Sequence, residues 1–230
     1  MNLAGLQKQT LVDYPGKVAC TVFTQGCNYR CGYCHNPDLI PMKGNTPALP
    51  TDEFLEWLNN RKKWLDGVCV TGGEPTLQTD LPEFARSVKE AGFLFKLDSN
   101  GSNPAMLKKM FDEELIDFLA MDIKAPLEKY ENIVGPGINK KAIEESIQLI
   151  RERAPDYEFR TTIAPDWYSK EDAIAIGEWL KGSKAYYLQN FVAEHAADPA
   201  FRSKHGFSRE ELKELKVILE PYFDEVGIRE

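Results

Sequence analysis

The chain has 230 residues, 43% of them hydrophobic and 28% charged, which suits one sizeable core and argues against a disordered majority. A formal net charge of -8 and a pI near 5.1 weigh against a protein that coats nucleic acid or an anionic membrane, because both need a basic face. The opening MNLAGLQKQTLVDYPG lacks an apolar core after a basic start, and no stretch approaches the roughly 20 apolar residues that span a bilayer, so a cytoplasmic chain with reduced thiols is expected.

In chain order, short β-rich runs alternate with helical patterns. KVACTVFT (17–24) reads as the first strand and leads into a loop, CNYRCGYCHNP (27–37). A helical pattern over 51–65 precedes a strand at 67–73, and one over 80–92 precedes a strand at 94–100. The alternation continues with a helix over 103–115, a strand at 117–124, a helix over 139–154, a strand at 158–165, a helix over 170–182 and a strand at 185–191. A C-terminal helical segment, about 208–223, is followed by the apolar run EVGI. Thr51, Asp80, Asn103 and Ser169 are expected caps, with Gly92 and Gly182 as stops. The alternation implies an α/β fold with a largely parallel sheet in a single domain, 1–230.

Periodicity alone leaves an open sheet and an incomplete barrel both possible. In either, ligands sit at the C-terminal ends of the strands. Polar residues collect at every such end: Cys27 and its neighbours, GGEP (72–75), Asp98 with Ser99 and Asn100, Asp122 with Lys124, Arg160, and Gln189 with Asn190. That convergence favours a nearly closed ring over a flat sheet with one crevice.

Three of the five cysteines fall within eight positions, at Cys27, Cys31 and Cys34. A disulfide framework does not suit a reducing compartment. Cys31–His35 matches the C-x-x-C-H haem-attachment spacing, but that reading leaves Cys27 idle and normally requires export. A Cys₃His zinc site with His35 strains the adjacent Cys34 and His35 ligands. Three thiolates at C-x-x-x-C-x-x-C can instead meet three corners of an iron-sulfur cubane, leaving one iron open for a substrate or cosubstrate. Tyr33 could shield that cluster or flank its ligand; a surface aromatic is the plainer alternative.

CNYRCGYC after a first strand resembles the hallmark of radical S-adenosylmethionine (SAM) enzymes. TGGEP (71–75) is similar to their GGE motif, and LDSNG (97–101) and MDIK (121–124) are similar to motifs of glycyl-radical-enzyme activases. Among these, LVDYPGKVACTVFTQGCNYRCGYCHNPDLI most resembles the longer type of anaerobic ribonucleoside-triphosphate reductase activating protein, related to pyruvate formate-lyase activating enzyme. The resemblance implies a partial (β/α)6 TIM-like barrel, with the cluster loop at about 24–45. It also implies a 4Fe-4S cluster on Cys27, Cys31 and Cys34 that cleaves SAM reductively, and removal of a glycine α-hydrogen from a partner polypeptide. A flavodoxin or ferredoxin would supply the electron.

The same resemblance assigns Gly72 and Gly73 to close approach of the SAM methionine moiety, against an ordinary turn after a strand, and Glu74 to its ammonium. It assigns Lys124 and Arg160 to its carboxylate and ribose. Asp98, Ser99 and Asp122 would hold a monovalent cation, unless the aspartates simply pair with lysine. Gln189 or Asn190 would read the adenine, against a satisfied core amide. Cys20 and Cys69 read as small buried hydrophobes, Phe54, Leu58, Trp64 and Leu65 as core, and His195 and His205 as surface residues. His35, Asn36 and Pro37 would shape the cluster loop. The rival functions are a radical SAM enzyme acting on a small molecule, such as a deazapurine synthase, and a zinc-stabilised binding module without catalysis.

Overall fold

The computed structural model describes residues 1–43, 48–194 and 196–229. They fall into two compact units. One comprises 1–28, 38–120 and 141–156, and the other 29–37, 121–140 and 157 onward.

In the first unit β1 (Leu3–Thr10) pairs antiparallel with β2 (Ala19–Thr24). β2 pairs in parallel with β3 (Gly67–Gly72), and β3 with β4 (Leu94–Ser99). Val68, Cys69 and Val70 are all fully buried, as a parallel strand covered on both faces requires. The helices α1 (Thr51–Asn59), α2 (Leu81–Glu90) and α3 (Pro104–Asp112) alternate with these strands. Phe54 of α1 stacks on Phe84 of α2 at 5.5 Å between ring centres, and Phe84 meets Phe95 of β4 edge-on at 6.5 Å. These rings tie two helices to the sheet. β5 (Phe118–Asp122) begins in this unit and ends in the next.

The second unit holds α4 (Tyr130–Val134), while all but the first residue of α5 (Lys140–Arg153) returns to the first. β6 (Tyr157–Ile163), α6 (Lys170–Leu180), β7 (Ser183–Asn190), α7 (Arg209–Leu219) and β8 (Phe223–Arg229) complete the second unit, with β6, β7 and β8 paired in parallel. Capping boxes start the two long helices: Ser169 with Asp172 on α6, and Ser208 with Glu211 on α7. Asn103 caps α3 through the Met106 N–H.

The six expected strands are present within a residue or two, and β1 and β8 are added to them. Three local expectations need correction. Thr51 is the first helical residue of α1 and Pro50 its cap, and Asp80 makes no side-chain capping bond. Trp64, expected in the core, is 73% exposed. The cause is that α1 stops at Asn59; a turn over 60–64 rotates Trp64 off the apolar face, while Phe54, Leu58 and Leu65 remain buried.

Candidate functional site

None of the five cysteines is in a disulfide; Cys31 is buried, and Cys27 and Cys34 are half-buried. The Cys27 N–H donates to Ile40 C=O at 3.0 Å, fixing the start of the loop in the first unit. In the second unit the Cys34 N–H donates to Cys31 C=O at 3.0 Å. That i to i+3 turn holds Cys31 and Cys34 as a pair on a segment with no regular structure. Among the described residues no three His, Cys, Asp or Glu side chains form a ready-made ion site. The assignment of the three thiolates therefore rests on donor chemistry and spacing.

The GGE turn is held from below. Gly72 has φ of +111°, and a Cβ there would stand 2.4 Å from Thr24 N; a Cβ on Gly73 would stand 2.1 Å from Gly26 O. The close approach these glycines permit in the structure is to the end of β2, where the Gly73 N–H donates to Thr24 C=O and the Glu74 N–H to Gly26 C=O, both at 2.8 Å. The Glu74 carboxylate is buried and accepts from Thr76 N–H (3.1 Å), the Thr76 hydroxyl (2.5 Å), the Ser99 hydroxyl (2.8 Å) and Asn100 N–H (2.7 Å). Burial raises its pKa, and these donors pull it back part of the way. Asn100 also bonds Asn28 of the loop at 3.0 Å.

Asp98 pairs with Lys96 two residues earlier on the same strand face, and both side chains are buried. The Lys96 ammonium also lies 3.7 Å from Cys69 Sγ and 5.7 Å from the Phe118 ring centre. Lys96 is thus a partner of Asp98 that sequence reading passed over. Its signal was present: a lysine inside an apolar strand, two positions from an aspartate. Cys20 is buried and its thiol is pushed up to about 12 by burial, as an inert core residue should be.

In the second unit Asp122 receives Arg160 Nε at 2.6 Å and Lys124 Nζ at 2.9 Å. Burial raises the Asp122 carboxyl, but the two cations outweigh it and hold its pKa well below the usual range. Burial likewise lowers Lys124, and Asp122 outweighs that, raising it well above the usual ammonium value. Two cations on one carboxylate leave the trio with one net positive charge. The neighbouring Glu158 is neutralised by Arg229 through two bonds, at 2.6 and 2.7 Å, with Arg160 farther off at 3.9 Å.

Tyr33 is buried, against the surface alternative. It stacks on Trp167 at 5.4 Å and 12°, under Lys124 at 6.0 Å. Its hydroxyl is buried without a hydrogen-bond partner among the described residues. Trp167, in the PDWYS loop after β6, was missed by sequence reasoning; its position at a strand's C-terminal end was the available signal. His35 stacks on Phe191 at 5.9 Å. Asn190 is a satisfied amide, donating to Phe207 C=O and accepting from Phe207 N–H, both at 2.9 Å. Gln189, half-buried, makes no side-chain hydrogen bond among the described residues. His205 is exposed, as expected, and His195 lies outside the described residues. No described helix is long and apolar enough to cross a membrane.

The profile of the radical SAM superfamily matches residues 21–175. A Methanocaldococcus jannaschii protein, MJ1227, which carries the provisional name of glycyl-radical enzyme activating enzyme, is 33% identical over 99% of this chain and 95% of its own length. The pyruvate formate-lyase-activating enzyme of Streptococcus mutans is 34% identical over 75% of this chain and 69% of its own. Among solved structures, Streptococcus suis SuiB bound to precursor peptide SuiA superposes with a TM-score of 0.70 at 13% identity, over 88% of this chain and 46% of that one. A domain of pyruvate-formate lyase-activating enzyme from Bacteroides vulgatus gives 0.58 at 16% identity, over 71% of this chain and 99% of that one. Those two likenesses concern the fold, a radical SAM partial barrel.

Proposed function

Because the chain belongs to the radical SAM superfamily and, within it, to the glycyl-radical-enzyme activating enzymes, we propose that its substrate is anaerobic ribonucleoside-triphosphate reductase. The cofactors are those of the family, a 4Fe-4S cluster and SAM. The observation that carries the reading is the Cys27, Cys31 and Cys34 set, none of them in a disulfide, in a chain matched over 99% of its length by an activating-enzyme relative. The choice of the reductase is supported by the opening LVDYPGKVACTVFTQGCNYRCGYCHNPDLI, which resembles that class of activase.

When bound, the cluster would supply the one electron for reductive cleavage of SAM, the chemistry by which a glycine α-hydrogen of the partner would be removed. The chain's own residues bind, orient and exclude water. Cys27, Cys31 and Cys34 would hold the cluster. Lys124 and Arg160, with one positive charge left after Asp122, suit the SAM carboxylate. Glu74 has one donor on Oε2 and three on Oε1, so Oε2 keeps a lone pair for the SAM ammonium while the rest of the carboxylate holds the turn. Gln189, with its amide unspent, is the candidate for the adenine edge. The protein acts in the cytoplasm with a flavodoxin or ferredoxin as electron donor.

The test pairs anaerobically reconstituted protein, reductant and SAM with the reductase or with pyruvate formate-lyase, and reads the glycyl radical by electron paramagnetic resonance. A signal on the reductase is expected. A signal on the lyase alone would sink the partner assignment.

A further inference from the structure

The segment between β7 and α7 reaches back to the paired-cysteine turn within the second unit. The Ala197 N–H donates to Cys34 C=O at 2.9 Å, and the Asp198 N–H donates to Gly32 C=O at 3.0 Å. Three residues on, the Phe201 ring covers Gly32: a Cβ at Gly32 would stand 2.6 Å from Phe201 Cε2 and 3.0 Å from its Cζ. Phe201 is itself braced by Trp167 (5.1 Å) and Phe191 (6.3 Å), and Lys204 sits over it at 5.0 Å while pairing with Asp166 at 2.9 Å. A short helical turn, Pro199–Phe201, capped by Asp198 on Ala200 N–H, aims the ring.

We propose that residues 197–201 are a clip whose Phe201 ring, seated on Gly32, positions the Cys31–Cys34 turn and keeps water from the side of the cluster that these two thiolates would hold. The inference rests on the cofactor assignment above. Phe201 is a positioning residue: it acts through the backbone that carries two ligands, as outer partners of metal ligands do. Gly32 is glycine because any side chain would occupy the space of the ring. Backbone bonds at 197 and 198 set the height of the clip, and the ring makes the seal.

Two consequences follow for a reconstituted cluster. Loosening the clip speeds its loss, on the order of 10-fold to 100-fold by analogy with outer-partner mutations at metal sites. It also raises the midpoint potential, because reduction adds negative charge to a thiolate-bound centre and water stabilises the more charged form.

The experiment compares wild type, Gly32→Ala, Phe201→Ala, Phe201→Leu and the Gly32→Ala/Phe201→Ala double variant. It measures chelator-driven cluster loss and the potential of the reduced centre, with near-ultraviolet circular dichroism of the cluster-free proteins as the check on folding. Each alanine variant is expected to lose its cluster faster and to reduce at a higher potential. The double variant should be no worse than Phe201→Ala, since both changes break one contact. Leucine, which keeps the apolar cover, should recover most of the wild-type behaviour. Wild-type loss rates and potentials in both single alanine variants would overturn the clip, as would effects that multiply in the double. If Gly32→Ala does not fold, a leucine no better than alanine at 201 overturns it. A wild-type chain that takes up no cluster overturns the cofactor assignment itself.

Discussion

Replacing Glu74 by glutamine removes one charge and keeps the shape, yet the structure predicts a large loss of stability in the protein without any ligand. Each carboxylate oxygen of Glu74 faces a backbone N–H that cannot turn away, Thr76 on Oε1 and Asn100 on Oε2. The glutamine amide must place its NH₂ against one of them, leaving a buried donor facing a donor at a cost of about 1–3 kcal/mol. The remaining bonds lose their charge-assisted strength, so a total of about 2–4 kcal/mol is expected after the relief of burying a charge. For a chain of this size that lowers the melting temperature by about 4–16 °C. Thermal unfolding of the cluster-free, SAM-free protein, followed by circular dichroism, measures it. If Glu74 served only as an acceptor for bound SAM, the ligand-free glutamine variant would melt with wild type, and a difference below about 0.5 kcal/mol would refute the reasoning.

Further outcomes are expected from the other buried polar groups. Lys96→Met strands Asp98 inside the sheet and should cost about 3–5 kcal/mol, whereas the Lys96→Met/Asp98→Leu pair should recover most of it; denaturant midpoints decide, and an additive double variant contradicts the pairing. Asp122 has a depressed pKa in the folded chain, so its contribution is fully present above the unfolded value near 3.9 and is lost as pH falls toward the folded one. The stability of Asp122→Asn should accordingly fall less steeply below pH 4 than that of wild type, by up to about 1.4 kcal/mol per pH unit, and parallel slopes would contradict the assignment. Gly73→Ala meets the Gly26 carbonyl and should cost about 2 kcal/mol or more, with a soluble, wild-type-stable alanine variant as the contrary result.

β3 and β5 were legible because a strand buried on both faces writes an unbroken apolar run, as in GVCV and FLAM. β1 and β8 write no such signal. β1, LAGLQKQT, buries only Leu3 and Thr10 at its two ends, and β8, FDEVGIR, buries Phe223 and Val226 three positions apart, so neither shows a period of two. Gly227 in β8 has its reason in the fold, where a Cβ would stand 2.2 Å from the Tyr187 ring. The helical pattern over 51–65 ran too long because Leu65 is a core residue that follows a turn and happens to continue the period.

At the candidate site the sequence showed residue types and left their partners hidden. The Cys27, Cys31 and Cys34 spacing is local in the chain and could be read directly. That Glu74 would be tied to Ser99 and Asn100, or that Phe201 would sit on Gly32, depends on long-range packing between segments with no shared pattern. Asn190 illustrates the limit: its amide type suited a ligand, and only the backbone of Phe207 revealed where its hydrogen bonds go.

The central claim is that three thiolates of this chain hold a cluster that cleaves SAM. Its most direct test is anaerobic reconstitution with iron and sulfide, reduction in the presence of SAM, and chromatography for 5′-deoxyadenosine, with Cys27→Ala, Cys31→Ala and Cys34→Ala in parallel. The account predicts 5′-deoxyadenosine from wild type and none from any of the three variants. A stoichiometric zinc ion with no SAM binding, or undiminished cleavage by Cys31→Ala with its cluster intact, would contradict it.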